Sequence, residues 1–205
     1  MTFMRSTLLA LAAASTLGLA SARAEGTQPL DTSRLVSIGG AVTEIVYALG
    51  KGDTLAARDS TSTFPPAALK LPDVGYMRAL SPEGVLSVNP SAILMIDGSG
   101  PKEAVEVLSK ASVQIVRIPE GYDRAGILAK IEAVGKALGA EAEAEALAAK
   151  VGADVDAASA AVANIPENQR KRVLFVLTLQ NGKIMAAGQH TAADGILKLA
   201  GAVNA

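Results

Sequence analysis

The first half of the chain repeats one order: a short apolar run, a turn bearing glycine or small polar residues, and an amphipathic stretch at helical spacing. "RLVSIGG" (Arg34–Gly40) is an apolar run stopped by two glycines, which predicts a strand and a tight exit. "AVTEIVYALG" follows with Val42, Ile45, Val46 and Leu49 on one helical face and Gly50 closing the helix. "TLAAR" (Thr54–Arg58) reads as a second strand. "DSTSTFPPAALKLPDVGYMRALSPEG" is rich in proline and small polar residues and predicts a long loop with at most a short helix. Long loops in otherwise dense domains are usually functional or disordered. Ser81 then supplies an N-cap and Pro82 the first residue of a helix. "SAILMID" is a continuous apolar run, the pattern of a strand buried on both faces. "KEAVEVLSKA" is an amphipathic helix and "VQIVRIP" a further buried strand. This alternation predicts a parallel α/β lobe. Ligands of such sheets bind beyond the carboxyl ends of the strands. The exits "IGG" and "IDGSG" and the loop carrying Tyr76 are expected there.

From Arg124 to Ala163 the spacing becomes helical, with Ile127, Leu128, Ile131, Val134 and Leu138 on one face. Gly139 is expected to break or kink this stretch, whose alanine-rich second part reads as a stiff connector between two lobes. "VLFVLT" (Val173–Thr178) then predicts a buried strand, "KIMAAG" a second strand, and "HTAADGILKLAGAVNA" a helix capped by Thr191. A helix and two strands are too little to bury the core of an ordinary domain. A second α/β lobe therefore begins but is expected to be incomplete, through truncation or because something else completes it. The fold class expected is α/β: two Rossmann-like lobes joined by a long backbone helix. The divisions are a signal peptide at 1–24, a first lobe at 25–123, a helical connector at 124–165 and the start of a second lobe at 166–205.

The leader rests on one early arginine, Arg5, a small-residue apolar run from Leu8 to Ala20, and Ala22-Arg23-Ala24 as a cleavage pattern. The run is too poor in large apolar residues for a stable membrane span of about 20 residues. Export with cleavage near Ala24, into a periplasm, is the expectation. The chain has no cysteine, so disulfides cannot support it and a lipid-bearing cysteine is not expected. The formal net charge of −1 argues against a nucleic-acid partner, which would require a basic face. No H-E-x-x-H, P-loop or G-x-G-x-x-G spacing occurs, and no Ser-His-Asp set is evident, so no catalysis is expected. A phosphate-handling α/β enzyme using the glycine-rich exits remains a distant alternative.

Export signal, α/β lobe, helical connector and second α/β lobe together resemble the helical-backbone periplasmic substrate-binding proteins of ABC importers for siderophores, cobalamin and haem. "RLVSIGGAVTEIVYALG", "ARDSTSTFPPAALKLPDVGYMRALSPEGVLSVNPSAILM" and "AAGQHTAADGILKLAGAVN" closely resemble the haem (hemin)-binding subfamily. "DVGYMRALSPEG" (Asp73–Gly84) is the part specific for haem. The resemblance implies capture of haem in a cleft between lobes and delivery to the membrane permease subunits of an importer, with an outer-membrane haem receptor upstream.

The resemblance also makes Tyr76 the axial ligand to ferric haem iron. Tyrosine does ligate haem iron in other proteins. A free phenol ionises near about pH 10, and iron plus a nearby cation favour the phenolate. Arg78, two residues on, would be that cation. By residue pattern alone, Tyr76 reads as a loop tyrosine half-buried for packing, and it is the resemblance that makes it a ligand. Arg58 either faces a haem propionate, with Ser60, Thr61, Ser62 or Thr63 as hydroxyl donors, or stays solvated. Met77 packs on the porphyrin or in the core. His190, the only histidine, is a surface or cap residue, or a second-lobe ligand to iron or to a second haem. The resemblance implies that Glu44, on the polar side of the first helix, pairs with permease arginines. Asp194 is the nearest matching carboxylate of the second lobe. A binding protein for a ferric siderophore or cobalamin, and a non-functional fragment, are the competing readings.

Overall fold

Strand β1 (Leu35–Ile38) is buried along its whole length, as its unbroken apolar sequence requires. It is central in a four-stranded parallel sheet of order β2-β1-β3-β4, with β2 at Leu55–Arg58, β3 at Ala92–Ile96 and β4 at Gln114–Ile118. The computed structural model describes residues 29–205, and the leader expected at Met1–Ala24 lies outside the described residues. Both faces of the sheet are covered. Helix α1 (Gly40–Ala48) packs Val42, Ile45 and Val46 with Leu35, Leu94, Ile131 and Val134 on one side. Helices α2 (Pro82–Leu86) and α3 (Lys102–Lys110) pack Val85, Val105 and Leu108 against Val36, Ile38, Ile93 and Met95 on the other. Ser81 caps α2, its hydroxyl accepting from the Gly84 amide at 3.3 Å. Strand β4 departs from expectation. It is the sheet edge, with Gln114 and Arg117 exposed, so its apolar run covers a border and not a centre.

The long helical stretch forms two helices, α4 (Arg124–Leu138) and α5 (Glu141–Ala163). Gly139, in the left-handed region at φ 60°, ends α4 and lets the chain reverse. Helix α4 packs against the first sheet, with Ile131 and Val134 in the cluster that holds Leu35, Val42 and Leu94. A Cβ added to Gly135 would overlap that of Ala144, so small residues set the approach of the two helices. Helix α5, at 23 residues, is about 34 Å long. Arg124 clamps the pair at the far end, with Nε and Nη2 reaching the two oxygens of Asp156 at 2.6 and 2.8 Å. No helix among the described residues is long and apolar enough to cross a membrane.

The segment after α5 contains β5 (Arg172–Val173) paired parallel with β8 (Val203–Asn204), an antiparallel hairpin of β6 (Val176–Gln180) and β7 (Lys183–Ala186), and helix α6 (Ala192–Leu199). Thr191 caps α6 as expected, accepting from the Asp194 amide at 3.2 Å. The buried strand expected at Val173–Thr178 is instead divided between β5 and β6 and exposed. Leu174 and Phe175, between β5 and β6, are exposed, and so are Leu177 and Leu179 of β6, because no second layer lies on this two-stranded hairpin among the described residues.

Candidate functional site

The carboxyl edge of the sheet is organised by a carboxylate. Asp59, directly after β2, is fully buried. Its Oδ1 accepts the Gly39 amide at 3.0 Å and the Ser62 hydroxyl at 2.7 Å. Its Oδ2 accepts the amide and hydroxyl of Thr61 at 3.1 and 2.7 Å. Ser62 gives its one proton to Asp59, so the 2.6 Å contact with Thr43 must run from Thr43 to Ser62. The 2.7 Å contact between Ser37 and Thr43 then runs from Ser37. The result is a hydroxyl relay from β1 through α1 to the loop after β2. Thr61 Oγ1 also receives the Gly40 amide at 3.0 Å. The glycine exit of β1 is thereby tied to β2. Gly39 has φ 109°, and a Cβ there would sit 2.6 Å from Ile96 Cγ2, so only glycine fits.

The Tyr76 loop docks on this edge. Arg58 donates its amide to Pro72 and accepts from the Val74 amide, both at 3.0 Å, and the Ser60 amide reaches the Gly75 carbonyl at 2.9 Å. The Gly100 amide, beyond β3, donates to the Met77 carbonyl at 2.9 Å. Tyr76 to Ala79 forms a turn closed by a 2.8 Å bond. Tyr76 is 47% exposed, and Arg78, two residues on in the same turn, is exposed as well. Met77 is half-buried between both core clusters and also lines a cavity of about 290 Å³. Gly39, Ile96, Tyr122, Ile196 and Leu199 share that cavity, so α6 faces the sheet edge across it.

The other expected site residues are distributed around this edge. Arg58 is not a free cation. Its Nη1 donates to Asp73 Oδ2 at 2.9 Å and to the Asp59 carbonyl at 3.0 Å, so the guanidinium is folded back onto the Tyr76 loop. Of the four hydroxyls beside it, those of Thr61 and Ser62 are bound to Asp59, and Ser60 and Thr63 are exposed. His190 has φ 59° and is exposed, lining a second cavity of about 320 Å³ with Gly121, Tyr122 and Lys198. Glu44 is exposed on α1 and borders a third cavity with Phe64, Lys130 and Leu147.

Asp194 requires a correction, because it is not a surface acid open to a partner. It is 2% exposed, and its Oδ2 is held by Lys198 Nζ at 2.8 Å and the His190 amide at 2.9 Å. Lys198 first, then that amide, hold its carboxyl below the usual carboxylate range. The unfolded chain therefore binds the proton at higher pH. The stabilisation is full above about pH 4 and is lost as pH falls through the lower folded value. Urea unfolding at about pH 6 and about pH 3 checks this, the Asp194→Asn variant losing less stability between them than the parent chain.

Asp59, Asp73 and the Glu120–Lys130 pair carry the site's polar architecture without standing out as an apolar period. Lys130 Nζ meets Glu120 at 2.6 Å, and Lys130 is 8% exposed. Its spacing from Ile127 and Val134 places it on the buried face of α4, which is the signal for it in the sequence. Asp59 had a signal as well: an acid followed by "STST" at a strand end is a side-chain-capped turn.

The comparisons with known proteins agree with this architecture. The periplasmic heme-binding protein RhuT from Roseiflexus sp. RS-1, solved in apo form, is 34% identical with a TM-score of 0.78, the match covering 85% of this chain and 66% of that one. The ABC transporter substrate-binding lipoprotein YvrC of Bacillus subtilis is 27% identical over 177 residues, 85% of this chain and 56% of its own. A vitamin B12-binding protein of Photorhabdus laumondii is 33% identical over 82 residues, 40% of this chain and 30% of its own. The chain thus spans under two thirds of the length of each relative. The Periplasmic binding protein family matches residues 35–205, and the chain belongs to that family.

Proposed function

We propose that the chain is the periplasmic haem-binding component of an ABC importer, and that Tyr76 ligates ferric haem iron. The observation that carries this reading is the Tyr76 turn, docked on the carboxyl edge of a parallel sheet with Tyr76 and Arg78 both exposed within it. A phenolate suits ferric iron, and an adjacent cation favours the phenolate form. Met77, Ile96, Ile196 and Leu199 supply an apolar wall of the kind a porphyrin face packs against. The similarity to a heme-binding protein at 34% identity supports haem over the other ligands of the class. His190 is the residue of the final segment that could approach the opposite face. Glu44, exposed on α1, is the candidate contact for the permease subunits. An outer-membrane haem receptor is the expected upstream source. Residues 25–123, 124–165 and 166–205 are proposed as first lobe, connector and start of the second lobe.

The similarity to a vitamin B12-binding protein supports cobalamin as a second reading. Titration of the mature chain with hemin, cyanocobalamin and a ferric siderophore separates them. The expected result is a saturable Soret shift with hemin and no binding of the others. Binding of cobalamin without a hemin shift would reverse the assignment.

A further inference from the structure

The Tyr76 turn is held from behind by one ion pair. Arg58 closes β2 and is 9% exposed, with Nη1 on Asp73 Oδ2 at 2.9 Å. The other oxygen of Asp73 accepts the Gly75 amide at 2.8 Å. Gly75 has φ 102°, which glycine adopts without strain, and Tyr76 follows it directly. The same segment is bonded along its backbone to Arg58 and Ser60. Among the described residues, Arg58 Nε is buried with no partner. An open buried donor is destabilising, and an ion pair whose carboxylate is 41% exposed adds little stability. What such a pair does supply is a defined geometry, here at the one glycine that aims the phenol.

We propose that Arg58 and Asp73 are positioning residues for Tyr76. Arg58 orients the Asp73 carboxylate, Asp73 fixes the Gly75 amide, and the path of Gly75 sets the direction of the phenol. This rests on the reading of Tyr76 as the iron ligand. It moves Arg58 from the haem propionates to a place one step behind the ligand and leaves Arg78 as the cation beside the phenol.

The test uses the full chain, Arg58→Ala, Asp73→Ala, the double variant, and Tyr76→Phe as reference. Without ligand, amide exchange at Gly75 and Ser60 should be about tenfold faster in both single variants, as for loss of one charge-assisted hydrogen bond. Exchange at Leu94 in β3 should be unchanged. With hemin, both single variants should keep the tyrosinate–iron vibrational signature but release hemin about tenfold faster, and the double variant should be no worse than either. If exchange and release match the parent chain in both single variants while Tyr76→Phe loses the signature, the brace is refuted and the ligand reading stands. If Tyr76→Phe keeps the signature, the ligand reading falls and the brace with it. Should Arg58→Ala fail to fold, Asp73→Asn carries the same test, because it keeps an oxygen for Gly75 and removes the charge opposite Arg58.

Discussion

Asp59→Ala should destabilise the first lobe by about 3 kcal/mol or more. The side chain is fully buried and satisfies two backbone amides and two hydroxyls. The hydroxyls of Thr61 and Ser62 can rotate toward other acceptors. The amides of Gly39 and Thr61 cannot, and each buried amide left open costs about 1–3 kcal/mol. The lost volume adds to this. Asp59→Asn should cost less, since its oxygen still accepts from Gly39 and Ser62, and only the Thr61 amide, then opposite the Asn NH2, loses its acceptor. Urea unfolding of the two variants beside the parent chain measures the difference. Parent-like stability for Asp59→Ala would mean that the hydroxyl relay does not hold the sheet edge together.

The elements that follow a clean period are those the sequence reveals. Val42, Ile45, Val46 and Leu49 are all buried, as their helical spacing predicts. The continuous run of β3 is buried on both faces, and the Ser81 cap and Gly139 break occur where the local chemistry requires them. Apolar content alone misleads where burial depends on neighbours. The runs of β4 and of Val173–Thr178 resemble that of β3, yet one is a sheet edge and the other an uncovered hairpin. Sheet order and layer count are long-range properties, and a strand's own residues do not encode them.

The site divides in the same way. "DVGYMR" is a local motif, and Tyr76 and Arg78 fall within one exposed turn. The roles of Arg58 and Asp194 depend on partners 15 and 4 residues away, respectively, and both side chains turn inward. A charged residue in a sequence reads as available. Only the fold reveals that its charge is already matched.

Tyr76→Phe is the substitution with the largest expected effect on binding. It removes one oxygen from an exposed turn whose backbone is held by Arg58, Ser60 and Gly100, so folding and stability should be unchanged within about 0.5 kcal/mol. Hemin affinity should nonetheless fall at least about a hundredfold, roughly 2.7 kcal/mol. Apolar contact along Met77 and Ile196 would remain, so residual weak binding without the phenolate is expected. The most direct measurement is the resonance Raman spectrum of the ferric haem complex in the parent chain and in Tyr76→Phe. A tyrosinate–iron vibration present in the first and absent from the second is the predicted result. The same vibration in both, or in neither with hemin still tightly bound, would contradict ligation by Tyr76.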